Sequence, residues 1–224
     1  RFQIGPFDVE VLPITHSVPE SLCVVLHTPQ GVIVHTGDFK IDREPIDGRT
    51  TDIKRLKELR EDGVRLLMAD STNADKPGWS PSESTVGDTL RELIPQWGDQ
   101  RLIVSCFASH LHRVQQICDI AISEGRTIFP LGRSMVGDMR IAQELGVLKV
   151  PHRAIDSIDR VGEYDPQTIC VICTGSQGEP NAALSLLARG DHPDLSLSED
   201  DVVLLSSHPI PGNELPVYRM INRL

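Results

Sequence analysis

RLIVSCFASHLHRVQQICDIAISEGRTIFPLGRSMVGDMRIAQELG, residues 101–146, carries the rhythm that decides the fold. Arg101–Cys106 is a short apolar run of strand length, and Leu111–Glu124 has the three- and four-residue apolar spacing of a helix. Thr127–Leu131 reads as the next strand and Ser134–Leu145 as the next helix, stopped by Gly146. The alternation continues downstream with a strand at Thr168–Cys173, a helix at Asn181–Ala188 and a strand at Val202–Leu205. Upstream, Ser80-Pro81-Ser82-Glu83 reads as a capping box with proline at the first helical position, opening a helix to about Ile94. Strands separated by helices imply right-handed crossovers and a parallel sheet covered on both faces, an α/β fold.

From Arg1 to about Asn73 the pattern is different. The first residues, RFQIGPFDVEVL, alternate as a strand does, and Phe7–Thr15, Ser21–Thr28, Val32–Gly37 and Val64–Ala69 are β-branched or apolar runs. Pro29-Gln30-Gly31 is a hairpin turn signal. Asp52–Glu61 places Ile53, Leu56 and Leu59 on one helix face. Residues 1–80 are therefore expected as one sheet-based domain portion and 81–224 as a second, α/β domain. The chain begins without Met, inside an expected strand, as a piece of something larger would.

Composition excludes several classes. The formal net charge of −10 removes bulk attraction to nucleic acid and leaves only a local groove for that purpose. No apolar run approaches the roughly 20 residues of a membrane span, and the 39% hydrophobic content is enough for a packed core. The five cysteines are odd in number and scattered through apolar segments, as in a protein of a reducing compartment. Cys170 and Cys173 form a C-x-x-C pair within a strand, where residues three apart face opposite sides; they are expected as core thiols. His27, His152 and His192 stand without supporting context and are expected on the surface or in turns.

Chemistry collects at strand ends. In the first region strands run into His16, Asp38 and Asp70, nitrogen and oxygen donors of the kind zinc or manganese takes; the alternative is that each caps a turn. In the second region the C-terminal ends of parallel strands share one edge, where ligands of open sheets bind. The loops expected there are Ser105-Cys106-Phe107-Ala108-Ser109-His110, Gly132-Arg133-Ser134, Thr174-Gly175-Ser176-Gln177-Gly178-Glu179 and Ser206-Ser207-His208-Pro209. Hydroxyls, glycine-exposed amides, helix N-termini and an arginine are the equipment for holding phosphate. No G-x-x-x-x-G-K-[ST] or G-x-S-x-G order occurs, which disfavours a P-loop nucleotidase and a nucleophile-elbow hydrolase.

Taken in order, His16-Ser17-Val18-Pro19-Glu20-Ser21, His35-Thr36-Gly37-Asp38-Phe39-Lys40, Asp70-Ser71-Thr72-Asn73, Phe107-Ala108-Ser109-His110-Leu111-His112-Arg113, Gly132-Arg133-Ser134-Met135, Cys173-Thr174-Gly175-Ser176-Gln177-Gly178-Glu179-Pro180 and Pro209-Ile210-Pro211-Gly212-Asn213 resemble the ribonuclease J family of metallo-β-lactamase/β-CASP nucleases. The resemblance covers essentially the whole chain. It implies part of a metallo-β-lactamase sheet domain at residues 1–80, followed by a β-CASP domain at 81–224 with a parallel sheet and flanking helices. It also implies 5′-to-3′ exonucleolytic and endonucleolytic cleavage of RNA in messenger RNA decay and ribosomal RNA processing, using two divalent metal ions in an interdomain cleft. Zinc is the expected metal, with manganese or magnesium as alternatives.

Residue by residue, His16 matches a metal ligand, Asp38 the carboxylate that bridges both metals, and Asp70 a catalytic-motif acid. Ser105, Ser109, His110, Arg133, Ser134, Ser176, Gln177 and His208 are expected to bind substrate, RNA with a 5′ monophosphate. Family members are cytoplasmic homodimers or tetramers, with no membrane association. The H-x-H-x-D-H motif and the C-terminal His motifs of the family do not occur in residues 1–224. The resemblance therefore implies the middle of an enzyme, inactive alone, with an incomplete metal site. Against it stand a catalytically silent RNA-binding or assembly module of the same fold and a small-molecule hydrolase of the metallo-β-lactamase fold. The βα-rich second half argues against the last.

Overall fold

Alternating apolar positions build the first sheet. Strands β1 (Phe2–Ile4) and β2 (Phe7–Pro13) form a hairpin, and β3 (Leu22–Thr28) and β4 (Gly31–His35) extend it by antiparallel pairing. β5 (Val64–Met68) joins parallel to β4, so the order is β1-β2-β3-β4-β5. The opening run, expected as one strand, is two strands because the chain reverses at Gly5-Pro6. Leu12, Ile14, Cys23, Val25, Val32 and Val34 cover one face, packed with Leu59, Leu56 and Phe39. Leu56 lies on helix α1 (Ile53–Glu58), whose N-terminus is capped by Asp52: its Oδ1 accepts the Arg55 N–H at 2.9 Å.

These elements belong to the computed structural model of the protein, which describes residues 1–224 and contains two compact units, Arg1–Val86 and Gly87–Leu224. Helix α2 (Glu83–Leu93) begins differently from the expected box: Pro81 lies outside it, and the first helical N–H, that of Glu83, is accepted at 3.1 Å by Asp42 Oδ2. Ser82, just ahead of the helix, accepts the Ser84 N–H on its Oγ at 3.3 Å, so the serine cap stands two residues beyond Ser80 and the Asp42 carboxylate adds to it.

The second sheet contains β6 (Leu102–Ser105), β7 (Thr127–Leu131), β8 (Ile169–Cys173) and β9 (Val202–Leu205), all parallel, in the order β7-β8-β6-β9. The connecting helices are α3 (Leu111–Ser123), α4 (Arg133–Glu144) and α5 (Ala183–Arg189). α6 (Glu214–Ile221) follows. Ile103, Phe129, Leu131, Val171 and Cys173 pack with Leu184 and Leu187 of α5 and Met220 of α6. Beneath the strand starts, the buried Arg126 guanidinium donates to the carbonyls of Gln100, Ile169 and Trp97 at 2.7, 3.0 and 2.6 Å. All five cysteines are buried and free, and burial pushes the Cys170 and Cys173 thiols up to about 12. No helix is long and apolar enough to cross a membrane.

Candidate functional site

In the first unit, hydrogen bonds lace together the loops that carry His16, Asp38 and Asp70. Thr15 Oγ1 donates to the Lys40 carbonyl at 2.7 Å, while the Lys40 N–H returns to the Thr15 carbonyl at 2.9 Å. This sets the His16 loop beside the Asp38 loop, with His16 Nε2 4.0 Å from Asp38 Oδ2. The Asp70 N–H donates to Thr36 Oγ1 at 3.1 Å, and Asp70 Oδ2 accepts the Phe39 N–H at 3.3 Å.

The two carboxylates differ. Asp38 is 83% exposed at its side chain and open to a ligand. Asp70 Oδ1 already accepts the Thr72 N–H and hydroxyl, at 2.9 and 2.7 Å, and these bonds hold its carboxyl below the usual range. His16 and Asp38 thus fit a divalent cation as one nitrogen and one free carboxylate, whereas Asp70 is engaged in shaping its own turn. No group of three or more His, Cys, Asp or Glu side chains converges on a common cation position. The donor set is partial.

In the second unit, a cavity of about 450 Å³ lies at the C-terminal edge of the parallel sheet. The loop after β6 contributes Ser109, the start of α4 contributes Arg133 and Ser134, and the loop after β8 contributes Thr174 and Ser176. Gly132 occupies the N-cap of α4 with φ 96°, and a Cβ there would stand 2.7 Å from Thr174 Oγ1. With no side chain capping α4, its first N–H groups are left to a ligand at the positive end of the helix dipole. Asp138 and Glu179 also line the cavity, so its charge is mixed.

The structure separates the expected substrate residues. Ser109, Arg133, Ser134 and Ser176 line one cavity; Ser105, His110, Gln177 and His208 do not. Ser105 is fully buried within β6, in register with Cys173. His110 is the N-cap of α3, and its Nδ1 accepts the Arg113 N–H at 3.2 Å. Gln177 is buried and spends its amide on the loop after β9: Nε2 donates to the His208 carbonyl at 2.9 Å, and Oε1 accepts the Ile210 N–H at 2.7 Å. His208 is exposed and enters this network through its carbonyl. His27, expected on the surface or in a turn, instead lies within β3 with its side chain largely buried and its Nε2 2.8 Å from Glu10 Oε2. The register sets Asp8 opposite His27, and Glu10, two residues on, shares that face as its diagonal neighbour.

Comparison with known proteins adds the following. Residues 99–224 match the family described as "Ribonuclease J, beta-CASP domain". The chain is 48% identical over 222 residues to ribonuclease J of Mycolicibacterium smegmatis, covering 99% of this chain and 40% of that protein. It is 46% identical over 220 residues to ribonuclease J of Mycobacterium tuberculosis, covering 98% and 39%. For ribonuclease J of Thermus thermophilus the identity is 43% over 225 residues, covering 100% and 39%. The chain thus spans about two fifths of the length of these curated relatives. Among solved structures, a protein of unknown function from Enterococcus faecalis V583 superposes with a TM-score of 0.56 at 16% identity, covering 98% of this chain and 57% of that one. That likeness concerns the fold alone.

Proposed function

The chain belongs to the ribonuclease J family, and on that premise we propose that it is the central part of a metal-dependent ribonuclease whose β-CASP domain holds the 5′ phosphate of RNA. The observation that carries this reading is the convergence of Arg133, Ser109, Ser134 and Ser176 with the uncapped start of α4 on one cavity. A guanidinium, hydroxyls and helix-terminal N–H groups are donors that match the oxygens of a terminal phosphate. Holding that end fixes the register of the strand, the requirement for 5′-to-3′ exonucleolytic action; an internal segment lying at the same catalytic residues supports endonucleolytic action. Gln177 and His110 support the crevice from behind by fixing the loops on which it rests.

In the first unit, His16 and Asp38 would hold divalent metal, zinc or manganese, which when bound acidifies water and neutralises charge on the cleaved phosphate. Asp70 positions the Asp38 loop through the Phe39 N–H. A catalytic zinc takes three protein ligands and an open position. The partial donor set therefore favours a second reading for the 224 residues by themselves: they bind RNA and do not cleave it.

The test compares this chain with the full-length polypeptide on 5′-labelled RNA with Mn²⁺ or Zn²⁺. The full-length protein should give chelator-sensitive cleavage, abolished by Asp38→Ala, and the 224 residues none. In the full-length protein, Arg133→Ala should weaken binding of 5′-monophosphorylated RNA by about 1.5–3 kcal/mol while leaving 5′-hydroxyl RNA unchanged. Equal losses on both RNAs would remove the crevice from the phosphate site. Robust cleavage by the 224 residues would mean that other side chains complete the metal site.

A further inference from the structure

Trp79 has no part in either site described above, and with 78% of its surface exposed it is the most open large apolar side chain in the protein. Its position is built. The segment that carries it is tied at both ends to residues 38–44. At the start, Asp70 Oδ2 accepts the Phe39 N–H at 3.3 Å. At the far end, Ser82 Oγ donates to Asp42 Oδ2 and to the Glu44 carbonyl, each at 3.0 Å, and Lys40 Nζ donates to the Pro81 carbonyl at 3.4 Å. Gly78 takes φ 99°, a conformation that strains other residues, at a bend immediately before Trp79. The buried Asp42 that anchors Ser82 also sets its neighbour Arg43, whose guanidinium carbon lies 5.5 Å from the Trp79 ring centroid.

We propose that Trp79, backed by Arg43, is a stacking platform for a base of single-stranded RNA. An indole face held in water gains by covering a flat aromatic partner, and every base supplies one whatever its sequence. Arg43 occupies one face and keeps N–H donors for the adjoining backbone phosphate. The rest of the segment favours a base over a protein partner. Residues 70–82 hold one aromatic and one alanine among Asp, Ser, Thr, Asn, Lys, Gly and Pro, without the large apolar side chains of a protein-binding hot spot. The segment is tied to residues 38–44, which include Asp38, so the platform belongs to the same unit as the proposed metal ligands. This inference rests on the ribonuclease reading above.

The experiment uses the full-length polypeptide in chelator, so that binding is read without cleavage. Fluorescence anisotropy follows a labelled, 5′-monophosphorylated single-stranded RNA and a matched abasic strand that keeps the phosphates and lacks the bases. Trp79→Ala should weaken binding of the base-bearing strand by between about fivefold and a hundredfold and leave the abasic strand unchanged, and Trp79→Phe should restore most of the loss. Equal losses on both strands, or none on either, would overturn the platform. Unchanged RNA affinity with a smaller assembly mass for Trp79→Ala would assign the side chain to a protein contact and overturn it too. Failure of the unaltered protein to bind either strand would instead strike the ribonuclease reading, a result distinct from these.

Discussion

Strands β5 and β8 are each five residues long and mostly apolar, VRLLM and ICVIC, and both pair in parallel; β8 is buried at every position and β5 exposed at every position. The difference lies in their neighbours. β8 sits between β7 and β6, and Ile169, Val171 and Cys173 pack with residues of α5 and α6. β5 has β4 on one side and an unpaired edge on the other. Val64 and Leu67 border an apolar cavity of about 450 Å³ shared with Ile14, Val34, Phe39, Leu56 and Leu59. An apolar strand contributes its burial energy only where a second layer closes over it.

The largest effect expected from that contrast is in β8. Val171 is fully buried, so Val171→Asp places an uncompensated carboxylate in the core and should cost more than about 4 kcal/mol. Hydrogen exchange should show amides of β6–β9 losing protection while those of β2–β4 keep theirs. A parallel loss in β2–β4 would mean that the two units unfold together, and the contrast between the strands would then carry no independent energetics.

How far sequence reads such contrasts depends on the distance over which the deciding contact acts. The apolar runs of β7 and β9 coincide with the observed strands, Thr127–Leu131 and Val202–Leu205, because a continuous run between turn residues is local information. Ser105, the last residue of β6, and Ser109, four positions on, read alike as crevice hydroxyls. One is fully buried and the other lines the cavity, and only the placement of the following turn decides which. Gln177 read as a ligand donor because its loop lies at the right edge; its amide is consumed by His208 and Ile210, more than thirty residues away. The exposure of β5 depends on which layers close over it, and no five-residue pattern carries that. That a crevice opens at the C-terminal edge of the parallel sheet was legible from strand order, and which side chains line it was not.

A middle-sized effect separates two arginines, one buried and one half-buried. Arg126 is held by backbone carbonyls, which do not titrate. Arg55 of the first unit is held by a carboxylate: its Nε and Nη2 lie 2.6 and 3.0 Å from Glu10 Oε1 and Oε2, with His27 also on Oε2. The Arg55 guanidinium, assisted by His27, holds the Glu10 carboxyl at about 2, below its ordinary 4.5. A carboxyl depressed in the folded state stabilises above its unfolded value and loses that contribution as pH falls toward the folded one. Stability of the first unit should therefore drop from about pH 4.5 to pH 2. Glu10→Gln should lower it at pH 7 by on the order of 2 kcal/mol and flatten that drop. The readout is exchange of β2–β3 amides in the two proteins across the acid range. An unchanged acid slope would assign the drop to other carboxylates, such as Asp8 or Asp42.

The smallest effect belongs to β5, exposed at every position. Leu67 is 60% exposed, so it keeps less than half of the roughly 2 kcal/mol that full burial of a leucine provides. Leu67→Lys should consequently cost this chain less than about 1 kcal/mol, with the lysine stem lying along the surface and the ammonium in water. An unpaired, apolar edge strand is also a template for pairing with another chain, and a lysine there opposes such pairing. The substitution should therefore lower self-association of the 224 residues in light scattering while leaving the urea midpoint nearly unmoved. A loss of several kcal/mol would show that β5 is covered in solution and would overturn the contrast with β8. A small loss with reduced association would fix the contrast as a property of the chain: one apolar strand closed by its own unit, the other left open for a further layer.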